Sequence, residues 1–555
     1  MNPSKGLVGL RNVVVHIGAL LLGVGLFAGA FPNQVFENGL PLLAWIAYVP
    51  VFWVVNRISV GVSFVWGALY GYAAYSVFNF WLTDFHPVAG LVVGIVYLVY
   101  FAFLFPLLKL AVMLFPQRGY VLQWLLWMGF EYLRTQGFLG YAYGITGYSQ
   151  WRMIPIIQIA DTFGVWGVSG LVAFPSAWLG AALKDGIFPN QAGPAGIFGE
   201  HIKRFFLRER VAAFIWIGAL TGALIYGFTG QIDYAEAPAR RIALVQHNTD
   251  PWLGGMVEYR KNYEILKRLS DEAMRQDPKP DIVVWSETAF IPRIFWHINY
   301  RGDPDSYILV KELMSYLEKQ DIPFVIGNDD ARKEPAKNPN PQEEFRVDYN
   351  AVMLIEQGKI VEQYRKLHLV PFTEYFPYKK ELPKIYQELK KRKDIHLWEK
   401  GEDLTVFETK GLKFSSPICF EDTFGYLSRN FVRNGAELIV NLSNDAWSNS
   451  LPAQMQHLSM AVFRSVENRR SMVRSTASGQ TCGIDPNGRI IAMAEPFAET
   501  QLTVQIPIVT LMSRYTKYGD FFPVLCIAAS GILLILGIIL GIIKNNKKGR
   551  QNEPA

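Results

Sequence analysis

The sequence predicts a two-part protein: a bundle of membrane-spanning helices, with an α/β domain inserted ahead of the last span. Two observations carry this. The 555-residue chain is half hydrophobic and only 18% charged, and the charge is unevenly spread. The stretches 12–36, 38–56, 58–83, 87–108, 162–183, 211–232 and 521–543 hold no Asp, Glu, Lys or Arg, and each approaches or exceeds the roughly 20 apolar residues that cross a bilayer core. Between the last two of them, residues 238–508 change texture to short β-branched runs that alternate with charged helical patterns.

Taking the spans in order, Lys5 and Arg11 precede an apolar run that reaches Ala28-Gly29-Ala30, a pattern shared with signal-peptidase sites. The apolar character continues through Phe31, Val35 and Phe36, so a retained helix is expected. Residues 119–130 add a weaker span that ends at Glu131 and Arg134, which are close enough on one helix to pair. That makes about eight spans. Arg57, Arg118, Lys203, Arg204, Arg208, Arg210 and the tail "KNNKKGR" (544–550) fall on one side of such a bundle. The positive-inside rule makes that side, and both termini, cytoplasmic. Asp84 and everything between the last two spans are then extracytoplasmic. The net charge of +6 reads as topology and carries no nucleic-acid footprint. The expected divisions are 1–236 (seven helices), 237–508 (α/β domain) and 509–555 (last helix and basic tail).

Within the α/β domain, "RIALVQHN" (241–248), "DIVVWSET" (281–288), "IPFVIGND" (322–329), "YNAVMLIE" (349–356), "LKFSSPICFE" (412–421) and "AELIVNLSND" (436–445) read as strands. Residues 256–276 and 453–470 show helical periodicity. Strands alternating with helices argue for an α/β sandwich. The turn "DPNG" (485–488) suggests a late hairpin, and "NDDARKEPAKNPNPQEE" (328–344) reads as an exposed loop.

Three cysteines, Cys419, Cys482 and Cys526, give no disulfide framework. Cys526 falls in the last span and Cys482 in a core strand. Cys419, in "FSSPICFEDTFG" (414–425), stands between an apolar run and two acids. A buried small hydrophobe or a thiolate nucleophile would both fit there. Glu287 closes "IVVWSE" and Lys366 sits in "YRKLHLVPF", each just past a strand, where loops carry function. Alone, each has a bland reading as a solvated acid or a snorkelling lysine. Together, Glu287, Lys366 and Cys419 supply the base, cation and nucleophile of an acyl-transfer site.

These motifs resemble the nitrilase, or carbon–nitrogen hydrolase, superfamily, whose Glu-Lys-Cys triad follows this chain order on an α-β-β-α sandwich. "FEYLRTQGF", "GYSQ" and "IQIADTFGVWGVSGLV" in the spans, with "WSETA", "YRKLHLVPFTEYFP", "PICFED", "NLSNDAW", "QHLSMAVFRSVENRR" and "DPNGRI" beyond them, are similar to one branch, the apolipoprotein N-acyltransferases. The resemblance implies a membrane helical bundle with an extracytoplasmic nitrilase-like domain. Glu287 is then the general base, Lys366 the oxyanion partner and Cys419 the nucleophile. Glu374 would hold Lys366, and Glu421 is a second supporting acid. Phe420 and Trp447 match positions lining the acyl and lipid entry, and Trp252, after the first strand, matches the branch's mobile substrate-binding tryptophan. The implied reaction moves an acyl chain from a phospholipid, through a cysteine thioester, to the N-terminal amine of a diacylglyceryl apolipoprotein. It needs no cofactor or metal, and a monomer is expected. Thr373, Ser448 (in "WSNS") and Arg470 depart from the branch's pattern at positions expected on the substrate rim. The competing readings are a membrane-tethered amidase and a transporter with an inert outer domain. The transporter would show paired, Pro/Gly-broken spans with midplane charges.

Overall fold

The computed structural model describes residues 3–85, 87–184, 195–249, 253–334, 345–391, 397–446 and 449–551. Trp252, Trp447, Ser448 and the stretch 335–344 of the expected loop lie outside the described residues. The chain forms two compact units. One comprises Met1–Gln136, Gly144–Gly230 and Asp520–Ala555, and the other Gly137–Tyr143 and Gln231–Gly519.

The first unit is helical. Among the described residues, five helices are long and apolar enough to cross a membrane: Leu10–Ala30, Val88–Leu114, Ala160–Leu183, Arg210–Thr229 and Phe521–Asn546. The other three expected spans take shorter forms. Residues 38–56 fold as a 3-10 turn, Pro41–Trp45, and a nine-residue helix, Val49–Arg57, each with a proline in its first two positions. Val60–Phe78 has 19 residues and Gly119–Leu133 has 15, or about 28 and 22 Å of helix. Helix Val60–Phe78 is packed backbone-close against Pro87–Leu114. A Cβ on Gly67 would lie 2.2 Å from the Phe101 carbonyl oxygen, and one on Gly71 2.3 Å from that of Tyr97. This is the small-xxx-small contact of membrane helices. Glu131 and Arg134 have separate anchors. Glu131 accepts from the amide of Thr146 at 3.1 Å and from its hydroxyl, whereas Arg134 donates to the Tyr97 hydroxyl and lies over the rings of Tyr75 and Tyr97.

Among the described residues, the second unit holds twelve strands: β1 (Ala239–Gln246), β2 (Ile282–Trp285), β3 (Phe324–Glu334), β4 (Phe345–Glu356), β5 (Lys359–Arg365), β6 (Phe407–Thr409), β7 (Leu412–Ser415), β8 (Leu438–Ser443), β9 (Ser471–Thr476), β10 (Cys482–Ile484), β11 (Ile490–Met493) and β12 (Thr500–Pro507). They form two six-stranded sheets, ordered β12-β1-β2-β3-β4-β5 and β11-β10-β9-β8-β7-β6. In each, three central strands run parallel (β1-β2-β3 and β7-β8-β9) and the flanking strands pair antiparallel.

Period-two alternation explains the layering. Ile242, Leu244, Ile282 and Val284 meet Phe414, Leu438, Val440 and Val473 in the core between the sheets. Ala243, Val245, Val283 and Trp285 point the other way, onto Tyr263, Leu266, Leu309 and Leu313 of helices Met256–Met274 and Pro304–Glu318. Asp303 starts the latter helix, its side chain accepting from the Ser306 amide at 2.8 Å ahead of Pro304. Helix Leu451–Asn468 packs on β9 of the second sheet and on helix Gly425–Arg433. The expected α-β-β-α sandwich is present, and "DPNG" makes the β10–β11 hairpin with Gly488 at φ +83.

One expectation is overturned. Residues 328–334, read as the start of an exposed loop, are strand: Asn328 pairs with Ala351 and Glu334 with Phe345 across β3–β4. The fully buried polar side chains among them, Asn328 and Asp330, are tolerated because they find partners. Asp330 is fully buried and accepts from Arg332 and from Arg365 at 2.7 Å.

Candidate active site

The expected triad residues sit where strands stop. Glu287 is two residues beyond β2, Lys366 directly follows β5, and Cys419 opens a 3-10 turn, Cys419–Thr423, four residues after β7. Gly327 of β3 makes room for the first. A Cβ there would meet the Ser286 carbonyl oxygen at 2.2 Å and Glu287 Cα at 2.8 Å.

Lys366 is fully buried and bridges two carboxylates: its Nζ donates to Glu374 Oε1 at 2.7 Å and to Glu287 Oε1 at 3.4 Å. Its amide donates to the Asn350 carbonyl at 2.8 Å. Burial pushes the ammonium pKa down, but Glu374, Glu287 and Cys419 outweigh it and the net shift is upward, so Lys366 is a fixed cation. Glu374 is held from its other oxygen by the Val370 amide at 2.8 Å. Glu287 receives two more donors, Asn350 Nδ2 at 2.8 Å on Oε1 and the Asn444 amide at 3.0 Å on Oε2.

Cys419 is only partly buried, whereas Cys482 is wholly buried in β10. Its φ is +50, a left-handed conformation for a residue that carries a Cβ, which costs about 1–2 kcal/mol. Thr288, just past Glu287, shares this strain at φ +47. Such strain persists where surroundings over-determine the backbone, as they do at reacting centres. The thiol is not a resting thiolate. Burial and Glu287 push its pKa well up, and the lowering by Lys366 does not reverse that. A neutral thiol beside a carboxylate passes its proton on when it attacks.

Glu421 is the brace of the nucleophile turn. Its Oε2 accepts from the Ile418 amide at 2.8 Å, and its Oε1 from the amides of Leu367 at 2.7 Å and His368 at 2.9 Å. The Tyr364 hydroxyl adds bonds at 2.8 and 2.9 Å. One carboxylate thus ties the turn bearing Cys419 to the chain on either side of Lys366. Burial pushes Glu421 up to about 7, opposed by the Ile418 amide and Lys366. Phe420 packs on the rings of Phe424 and His368, at 4.9 and 5.9 Å between centroids.

Of the three departures, Thr373 is exposed and Arg470 is not at a rim. Arg470 is buried, donating to the carbonyls of Ala436, Leu511 and Thr510 at 3.1, 2.7 and 3.2 Å. It ties down the chain leaving the domain, because that irregular segment has carbonyls that no strand satisfies. Sequence reasoning missed Asn350 and the Asn444 amide. The signal was a polar residue inside each of two buried runs, "YNAVMLIE" and "NLSND".

Residues 241–514 match the carbon–nitrogen hydrolase family model, and residues 23–178 match that of the apolipoprotein N-acyltransferase N-terminal domain. Apolipoprotein N-acyltransferase 1 of Treponema denticola is 44% identical over 545 residues, covering 96% of this chain and 97% of its own length. This chain belongs to the apolipoprotein N-acyltransferase family. The Treponema pallidum protein of the same name is 43% identical over 536 residues, covering 95% of this chain and 96% of its own length. Among solved structures, yeast Nit3, a member of branch 10 of the nitrilase superfamily, is 20% identical with a TM-score of 0.34, covering 48% of this chain and 90% of its own. As a member of its family, the chain is a membrane-bound acyltransferase built on a carbon–nitrogen hydrolase domain.

Proposed function

We propose that this enzyme transfers a fatty acyl chain from a phospholipid, through a thioester on Cys419, to the α-amine of the diacylglyceryl-cysteine at an apolipoprotein's N-terminus. The observation that carries the reading is the buried Lys366, bridged between Glu287 and Glu374 beside a strained, partly open cysteine. In the first half-reaction the thiol sulfur attacks the ester carbonyl and Glu287 takes the thiol proton. Lys366 offsets the negative charge that develops. The ester C–O bond breaks, the proton passes from Glu287 to the leaving alkoxide, and a lysophospholipid departs. In the second, Glu287 takes a proton from the incoming ammonium, the nitrogen attacks the thioester and the C–S bond breaks; Glu287 returns its proton to sulfur, and the nitrogen sheds its second proton to water to leave the neutral amide.

Phe420 flanks the acyl path, and Trp252 and Trp447 are its expected companions. The catalytic unit works at the outer face of the cytoplasmic membrane with both termini in the cytoplasm, as a monomer. The basic loops support this sidedness. The divisions 1–236, 237–508 and 509–555 are the working domain boundaries. The amidase reading is not favoured, because a plain hydrolase has no use for the matched membrane domain.

The test is direct: incubate the purified full chain with phospholipid alone, and look for the acyl mass on Cys419 and one equivalent of lysophospholipid. Acyl adduct in the wild type and none in Cys419→Ser is expected. Continuous release of free fatty acid without a stable adduct would make the protein a lipid hydrolase.

A further inference from the structure

Behind the nucleophile lies a buried group of charges that the reaction as described leaves idle. Asp422, His457, Asp445 and Arg474 are each at most 4% exposed. They come from four places: the turn bearing Cys419, helix Leu451–Asn468, the loop after β8, and β9. His457 stands at the centre. Its Nε2 lies 2.7 Å from Asp422 Oδ1, and its Nδ1 lies 3.3 Å from Asp445 Oδ1. Arg474 pairs through Nη1 with Asp422 and approaches Asp445 Oδ2 at 3.7 Å through Nη2. Ser443 Oγ donates to Asp445 Oδ1 at 3.0 Å.

The geometry fixes the protonation state. Both ring nitrogens face carboxylates, and only the imidazolium has an N–H for each. The charges agree. Two carboxylates against Arg474 alone would leave a net negative charge in a dry site, whereas a charged His457 closes the balance at two and two. Arg474 Nη2 also stands 3.5 Å from His457 Nδ1, so a neutral ring would take that bond instead of the one to Asp445. The remaining titratable groups that face the cluster are neutral: Tyr143 and Cys419, both pushed well up by burial, and Cys482, pushed up to about 12 by burial.

What the cluster connects gives it a role. Asp422 is three residues from Cys419 in the same turn. Asp445 follows Asn444, whose amide holds the carboxylate of Glu287 at 3.0 Å. Gly479 leaves room for Asp445; a Cβ there would lie 2.5 Å from Asp445 Oδ2. We propose that His457, as the imidazolium, is a positioning residue for thioester formation: it clamps the nucleophile turn to the loop that aims the general base. The proposal rests on the roles given above to Cys419 and Glu287. Losing the proton from His457 removes its bond to Asp445 and slackens the loop that carries Asn444, and Glu287 loses its alignment to the thiol while the lipid-binding surface is untouched.

The experiment uses the full-length protein in detergent, with isotope-labelled histidine for NMR and a single-turnover assay of acyl mass on Cys419 across pH. His457→Gln assigns the His457 signal among the eight histidines. Expected is a wild-type His457 that stays doubly protonated through neutral pH and titrates at about pH 9. The rate of thioester formation should fall through the same midpoint, although thiol ionisation alone would raise it. His457→Gln should lower the kcat of acylation by on the order of a hundredfold, the cost of a small misplacement, with KM within about twofold and the alkaline fall abolished. A singly protonated His457 at neutral pH overturns the proposal, as does a rate that keeps rising through the titration. So does a His457→Gln enzyme that acylates like wild type. If that variant does not fold, the wild-type rate profile decides. Absence of any adduct on wild-type Cys419 would instead overturn the functional reading.

Discussion

Replacing Glu374 with Gln probes the pair that keeps Lys366 in place. Glu374 Oε1 accepts from Lys366 Nζ at 2.7 Å, and Oε2 from the Val370 amide at 2.8 Å. A glutamine of the same shape has one oxygen and one NH2 for two donors, so one donor must face another. If the oxygen stays on Val370, the charge-assisted bond to Lys366 is lost, a term of about 1.5–3 kcal/mol. Lys366 then turns to its other carboxylate, Glu287, now 3.4 Å away, and a tight ion pair there removes the base from the thiol. Converted at about 1.4 kcal/mol per decade, the first acylation step should slow by about 10- to 150-fold. The assay is single-turnover acylation of Cys419 by phospholipid, followed by intact-protein mass. Tm in the same detergent is measured alongside to separate rate from stability. An acylation rate within twofold of wild type, in a variant with unchanged Tm, would refute the claim that Glu374 acts by holding Lys366 off Glu287.

Further outcomes are expected. Glu421→Gln points an NH2 at amides that already donate and leaves a buried donor unmet, so it should cost about 1–3 kcal/mol of stability by thermal unfolding and depress acylation together. Gly327→Ala drives a methyl onto the backbone of Ser286 and Glu287; it should destabilise by about 1–3 kcal/mol and displace the base, whereas normal acylation would show that strand end to be pliable. Cys482→Ala should acylate at the wild-type rate, because Cys482 is a wholly buried residue of β10 whose thiol burial pushes up to about 12. The pKa of His457 is raised from 6.5 to about 9, burial being outweighed by Asp422 and Asp445. Its contribution, about 3 kcal/mol, is therefore complete below about pH 6.5 and lost as pH rises through about 9. Thermal unfolding should weaken across that alkaline window in the wild type and not in His457→Gln.

The parts of the site legible in the sequence are those that follow a strand. Glu287 and Cys419 each end a run read as a strand, and such a run announces its own stopping point; Lys366 follows the more polar "KIVEQYR" and stands out by its apolar neighbours downstream. Glu374 and Glu421 came from likeness of motif, and their use, bracing Lys366 and the nucleophile turn, became visible only with the fold. Residues 328–334 were misread because a polar strand has no hydrophobic period; the arginines that neutralise Asp330 stand on β3 itself and on β5. Arg470 was assigned to the wrong edge because carbonyls of a non-repeating segment leave no trace in a sequence. The state of Cys419 was hidden for a related reason. The lysine beside it was legible, but the dry surroundings that keep the thiol protonated were not.

The loop Gly137–Tyr143 lies within the first family-model match, between two stretches of the helical unit, yet it folds as part of the catalytic one. There Phe138 packs edge-on to Tyr378 at 5.8 Å, and Tyr143 is buried with its ring 6.5 Å from that of His457. The cut that separates the two halves in sequence is therefore not the cut that separates them in space. Exchanging halves between relatives at residue 230 would import seven foreign residues into the catalytic unit, and expressing 231–519 alone would leave a gap beside His457. A catalytic unit inherited without that loop arrives seven residues short.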